Sequence, residues 1–326
     1  MTGHASSSRG ALGPGLAILA SMVSVNLGAA WAKGLFPLVG PAGVTAARVG
    51  LAAAIMLAVV RPWRALPARR DAFNLLVYGL MLGCMNLMIY ASFARIPIGV
   101  AVAIEVVGPL GVVVLSSRRP RDFAWVLLAG FGLWLLAPVH QGVPPLDPLG
   151  VAYALGAAFC WAMYIVFGKR VSTLNGSHAV AWGMLAAALF AVPVGAASAG
   201  SALLSPQVLW GGLAVAVLSS ALPYTLEMAA LARLPRRVFG ILVSAGPAFA
   251  AVAGFVVLGE VLSGMQWLAI VLVVVACGGA AATSRLGAWL RRARVQLPDE
   301  QWPCIPKLSA RSAERAPVHW TGPPLP

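Results

Sequence analysis

Ten apolar runs divide the chain, at residues 15–36, 41–60, 72–94, 96–117, 123–139, 149–168, 178–199, 208–231, 238–258 and 264–284. Polar and charged positions gather in the short gaps between them. A helix that crosses a bilayer needs about 20 mostly apolar residues, so the pattern predicts an all-α membrane protein with ten transmembrane helices. The gaps carry helix-ending punctuation. Arg61-Pro62-Trp63-Arg64 follows the second run, Ser117-Arg118-Arg119-Pro120-Arg121 the fourth, and Pro144-Pro145 precedes the sixth. Proline removes a backbone donor and clustered charge resists the hydrocarbon. Residues 1–14 read as a cytoplasmic N-terminus and 285–326 as a basic, disordered cytoplasmic tail whose first arginines suit a lipid surface. The first run is too long for a signal-peptide core and is followed by nine more, so it reads as an uncleaved helix.

Composition agrees. Of 326 residues, 60% are hydrophobic and 10% charged, with a mean hydropathy of +0.87. A soluble domain carries roughly 25% charged residues, so a soluble enzyme is excluded. The net charge of +14 would suggest nucleic acid in a soluble protein. Here its distribution speaks otherwise. With the N-terminus inside, 20 of the 23 Lys and Arg residues fall in cytoplasmic segments and one, Arg95, falls outside. That is the positive-inside pattern, so the sequence predicts two cytoplasmic termini and no nucleic-acid partner.

An internal repeat sets the architecture. Ala94-Arg95-Ile96-Pro97 matches Ala232-Arg233-Leu234-Pro235, Gly108-Pro109 matches Gly246-Pro247, and Asp122 matches Glu260, all at an offset of 138. Trp31-Ala32 matches Trp161-Ala162 at 130. The predicted halves are 15–139 and 149–284, with five helices each. Five is odd, so the second half enters the membrane from the opposite side. Transporters built from such inverted repeats bind substrate near the midplane and alternate its exposure.

Ionisable groups inside a membrane are expensive, and each one marks a candidate site. Glu105 lies mid-run, with the small Ala101 and Gly108 on its face, and is the leading candidate for a proton site. Gly108-Pro109 just after it loosens the helix. Arg48 is its natural charge partner, or the partner of a substrate carboxylate, because a guanidinium fork grips a carboxylate with two bonds. Lys33 lies near the outer end of the first helix, where it could snorkel outward or mark the extracellular mouth. Glu227 falls near the cytoplasmic end of the eighth helix, within reach of Arg233 or Arg237, in a gating or structural contact, with a second proton or coupling site as the alternative. Asn26, Trp31, Asn86, Tyr90, Trp161, Tyr164 and Tyr224 are candidate cavity-lining residues.

Other chemistries find no support. The chain has no Walker A sequence, no HExxH and no GxSxG. Its four histidines lie in loops or termini, and Cys84, Cys160, Cys277 and Cys304 have no metal-site spacing. No cofactor is expected, and the oligomeric state is not legible. A non-transporting membrane scaffold or sensor is the reading from another class.

Several motifs carry a resemblance. They are Ala32-Lys33-Gly34-Leu35-Phe36-Pro37-Leu38-Val39-Gly40, Gly43-Val44-Thr45-Ala46-x-Arg48, the stretch Gly99 to Pro109 around Glu105, Ser116-Ser117-Arg118-Arg119-Pro120, Ala221-Leu222-Pro223-Tyr224-x-Leu226-Glu227-Met228, and Leu258-Gly259-Glu260. Across 15–284 the chain resembles the EamA-type branch of the drug/metabolite transporter superfamily, and within it the bacterial inner-membrane threonine and homoserine exporters. The resemblance implies proton-driven efflux of a small amino acid. A general metabolite or drug exporter is the alternative within transport. One departure stands out: these exporters carry a glutamate before the proline of helix nine, where this chain has Gly246.

Overall fold

The computed structural model describes residues 6–64, 67, 69–115, 120–136, 146–171, 176–223, 226, 242 and 244–283. Among these the chain is helical, and no strand occurs. The α-helices are α1 (Ser6–Gly34), α2 (Phe36–Val60), α3 (Arg69–Phe93), α4 (Ile98–Glu105), α5 (Val107–Leu115), α6 (Pro120–Leu135), α7 (Pro148–Val171), α8 (Gly176–Ala199), α9 (Pro206–Ala216), α10 (Gly246–Leu258) and α11 (Gly264–Thr283). Six helical segments are long and apolar enough to cross a membrane: Gly15–Gly34, Phe36–Val60, Asp71–Phe93, Pro148–Gly168, His178–Leu204 and Gly264–Ala281. Four shorter apolar ones, Ile98–Val112, Phe123–Leu135, Pro206–Ser220 and Gly246–Leu258, fall in the other four expected runs.

The deviations from ten uniform helices have local causes. The fourth predicted helix is two, α4 and α5, joined at Val106. Pro109 has no N–H to give the carbonyl four residues back, and that carbonyl belongs to Glu105 itself. The second helix kinks at Gly40, with φ 67°, just ahead of Pro41, and ends where Arg61 adopts φ 51° and donates its N–H to Leu57 O at 3.0 Å. In the eighth, α9 widens into a π-helical turn, Val217–Ala221. A residue at 223 in that register would donate to Leu218 O, but Pro223 cannot. The Ser24 hydroxyl supplies the missing bond to Leu218 O at 2.7 Å. The expected tail, 285–326, lies outside the described residues, as do Tyr224 and Glu227.

The helices pack through small residues. Ala30, Ala32, Ala101, Ala154, Ala157, Ala187 and Ala191 are fully enclosed, which lets backbones approach as membrane helices require. The helix α2 packs on α8 and α9, α3 on α7 and α8, α1 on α10 and the π turn, α4 on α7 and α10, α5 on α7, and α6 on α11. Large apolar side chains such as Leu127, Phe159, Leu189, Val256 and Val275 stay exposed around the bundle. On a soluble protein that much exposed apolar surface would be a liability. Facing lipid tails it costs nothing.

Candidate functional site

A polar cavity of about 200 Å³ lies between α2, α3, α7, α8 and the π turn. Its wall holds Arg48, Asn86, Trp161, Tyr164, Ser219 and Ser220, with Val49, Leu82, Met85 and Met184 supplying apolar surface. Four of the residues singled out by sequence, Arg48, Asn86, Trp161 and Tyr164, therefore meet in one place. They come from three helices, at positions far apart in the chain.

Arg48 is the one charged residue among the described residues of this wall. Its Nη1 donates to the Tyr90 hydroxyl at 2.9 Å, and its Cζ lies 5.3 Å from the centroid of the Tyr90 ring. Tyr90 is 1% exposed and is held between Phe36 and Phe93, with ring centroids 5.8 Å and 5.6 Å away. One of the five guanidinium N–H donors is thus committed to a rigid neighbour, and the others remain for a ligand. Asn86 donates its Nδ2 to Leu82 O at 2.8 Å. That bond fixes the amide orientation and leaves the Oδ1 acceptor available. Tyr164 stacks on Tyr78 at 4.6 Å and shares a 3.0 Å hydroxyl–hydroxyl bond with it.

Glu105 lies at the break between α4 and α5, buried, and is not part of the cavity wall. No ion pair joins it to Arg48 among the described residues. The close approach expected at Gly108 occurs: a Cβ there would overlap the Ala158 carbonyl of α7. Asn26 is buried and spends its Nδ2 on Met22 O at 2.8 Å, within its own helix. Trp31 is 55% exposed and stands on the outer face of α1. It was expected in the cavity wall, but one face of that helix must meet lipid, and the indole is on it.

Lys33 does not snorkel. Its Nζ pairs with Glu260 Oε1 at 2.6 Å, and the other oxygen, Oε2, accepts the backbone N–H of Ile98 at 2.9 Å. Glu260 thus ties the end of α1 to the start of α4. A second pair, Arg95 Nη1 to Asp147 Oδ2 at 2.9 Å, lies in the loops before α4 and α7. The Arg95 bond, followed by the backbone N–H of Leu149, holds the Asp147 carboxyl below the usual aspartate range. Nearby, the Ser92 hydroxyl donates to Gly150 O at 2.8 Å.

Sequence reasoning assigned no role to Ser219, Ser220 or Glu260. The serines were legible as adjacent hydroxyls four residues ahead of a proline in an apolar run. Glu260 was visible as the repeat partner of Asp122 and in the Leu258-Gly259-Glu260 motif, without a role. Its role depends on Gly259, whose φ of 67° ends α10 and turns Glu260 back.

A multi-pass bundle enclosing a small polar cavity with one fixed cation, and without a clustered metal site among the described residues, has the architecture of a membrane transporter. The profile of the EamA-like transporter family matches residues 148–281. The chain is 51% identical to the threonine/homoserine exporter RhtA of Salmonella typhimurium strain LT2, and 50% identical to that of Escherichia coli K12. Each match spans 272 residues, 83% of this chain and 92% of the relative. An uncharacterized transporter of Bacillus subtilis, YwfM, is 30% identical over 55% of this chain and 62% of its own. A solved crystal structure covers 89% of this chain and 99% of its own with a TM-score of 0.55 at 21% identity, a likeness of fold alone. The chain belongs to the EamA-like transporter family; it is a multi-pass membrane transporter and not an enzyme.

Proposed function

We propose that this protein is a secondary exporter of small amino acids, threonine and homoserine among them, that exchanges substrate for protons by alternating access. The observation that carries the proposal is the cavity: about 200 Å³, with Arg48 as the single cation among its described residues, in a wall of hydroxyls, an amide and aromatic rings. Pockets for drug-sized ligands run from about 300 to 1,000 Å³, so the size favours an amino acid over a drug. Arg48 suits the α-carboxylate. Among the described residues no acidic side chain lines the wall, and the groups there that suit the α-ammonium are the Asn86 Oδ1 and, through cation–π attraction, the faces of Trp161 and Tyr164. The identity of the relatives as threonine/homoserine exporters supports the substrate class.

Glu105 is the proposed proton site. Arg48 can serve Glu105 or a substrate carboxylate, and a shared cation makes the two occupancies compete. That competition is the coupling. Glu227 is kept as a second, gating carboxylate and Tyr224 as cavity lining, both on sequence position alone.

Alternating access rests on the two halves, 15–139 and 149–284, being inverted repeats. The packing partners support this reading. Pairing each helix with its counterpart five spans on, α2–α8, α6–α11 and the α4–α10 contact each join a helix to its own mate. The α3–α7 contact has its image in α1 with α9 and the π turn, and α3–α8 in α2–α9. Contacts of α1–α10 mirror those of α7 with α4 and α5. Among the described residues Lys33–Glu260 joins one half to the other, and Arg95–Asp147 ties the first half to the loop that leads into the second, at the same end. With the termini cytoplasmic, as the Lys and Arg distribution supports, that end is the outer one and is latched in this structure. Efflux of radiolabelled threonine, homoserine and a panel of other amino acids from cells producing the chain tests the proposal. Accelerated, uncoupler-sensitive efflux of the first two is expected. Efflux no faster than in cells lacking the chain overturns it.

A further inference from the structure

The π turn places one polar group in the cavity wall with nothing to bind. Ser220 is 6% exposed, and its hydroxyl makes no hydrogen bond to any described residue. It does not take the usual helical option of donating to a carbonyl one turn back. Ser219 beside it is engaged with α1. Its Oγ reaches toward Val25 O at 3.5 Å, and it is wedged so closely against Gly28 that a Cβ there would overlap it. Ser24 holds the same turn through Leu218 O. The turn is therefore anchored on α1, and Ser220, whose hydroxyl is left over, lines the cavity that Arg48 also lines. Buried polar groups are nearly always paired, so an unpaired one in a pocket wall points to a ligand.

We infer that Ser220 is a specificity-determining residue that reads a hydroxyl on the substrate's side chain. This rests on the amino-acid reading above and deepens it. Arg48 and Asn86 grip the carboxylate and ammonium that every amino acid shares. Neither tells a hydroxy amino acid from its deoxy analogue. Ser220 both donates and accepts, so it complements a hydroxyl. A methyl in the same place leaves it unpaired in a buried site, which is how a binding site rejects an isostere lacking a polar group. Helical widening goes with this arrangement: in the π turn Ser219 reaches α1 while Ser220 lines the cavity without a partner.

The test is equilibrium binding of radiolabelled threonine and of 2-aminobutyrate, the same skeleton without the hydroxyl, to the purified full chain in lipid nanodiscs. The readout is the ratio of the two dissociation constants within one preparation, which does not depend on the fraction of protein folded. The wild type is expected to prefer threonine by roughly two- to tenfold or more. Ser220→Ala should bring the ratio close to one, mainly by weakening threonine, and Ser220→Thr, which restores a hydroxyl, should keep a preference. A wild-type ratio near one, or a preference that Ser220→Ala leaves intact, overturns the inference while the amino-acid reading stands. Binding of neither ligand to the wild type removes that reading, and the inference with it.

Discussion

Glu260→Gln should unlatch one end of the protein. The substitution keeps the shape and leaves an amide oxygen for the Ile98 N–H, so the start of α4 stays tethered. What it removes is the charge facing Lys33 Nζ at 2.6 Å. The side chains are 23% and 14% exposed, so solvent screens the pair only in part. A hydrogen bond to a charged group contributes about 1.5–3 kcal/mol, and if it acts only in the latched state its loss moves the equilibrium roughly 10- to 150-fold toward the open one. Arg95–Asp147 persists and keeps the effect toward the lower figure. Cys160 reports the opening. It is buried on α7, next to Trp161 of the cavity wall. With Cys84, Cys277 and Cys304 changed to serine, a membrane-impermeant thiol reagent added from outside should label Cys160 at least several-fold faster in Glu260→Gln than in the parent. Lys33→Met should behave alike, and the double variant should add little more. Labelling at the parental rate in both single variants would refute the latch.

Three further outcomes follow from the same geometry. Glu105→Gln should insert and fold but export without dependence on an imposed pH gradient, measured in proteoliposomes; gradient-driven export at the wild-type rate would move the proton site elsewhere. Asp147 is held below the ordinary carboxylate range, so its contact with Arg95 adds stability that is complete above the unfolded value of about 4 and fades as pH falls through the lower folded value. Asp147→Asn should therefore melt below wild type at neutral pH, with the gap closing in acid, as thermal scans at several pH values would record. Gly28→Ala should push against Ser219 and the π turn, weakening substrate affinity by roughly tenfold while leaving the bundle folded, read by binding isotherms on monodisperse protein.

Much of this was legible in the sequence, because a polar group in a membrane run has few reasons to be there. Arg48, Asn86, Trp161 and Tyr164 stood out on that ground and share one cavity. The break at Glu105 followed from Pro109, whose missing N–H is a local property. What escaped was relational. Lys33 looked like a snorkelling lysine because its partner is 227 residues away. Trp31 looked like a lining residue because a run that is apolar all round does not reveal which face meets lipid. The π turn needed both Pro223, which orphans the Leu218 carbonyl, and Ser24 on another helix, which satisfies it. Neither serine of that turn is rarer in membrane helices than a packing residue, and only the cavity, with the bond that Ser219 makes to α1, distinguishes Ser220.

The central claim is that the Arg48 cavity holds the transported amino acid by its carboxylate. Concentration-dependent threonine export from proteoliposomes, normalised to folded protein, tests it in wild type, Arg48→Lys and Arg48→Ala. An ammonium cannot reproduce the two-bond fork, so Lys should raise the half-saturating concentration about tenfold or more and Ala should abolish saturable export. Wild-type half-saturation in Arg48→Ala would contradict the account.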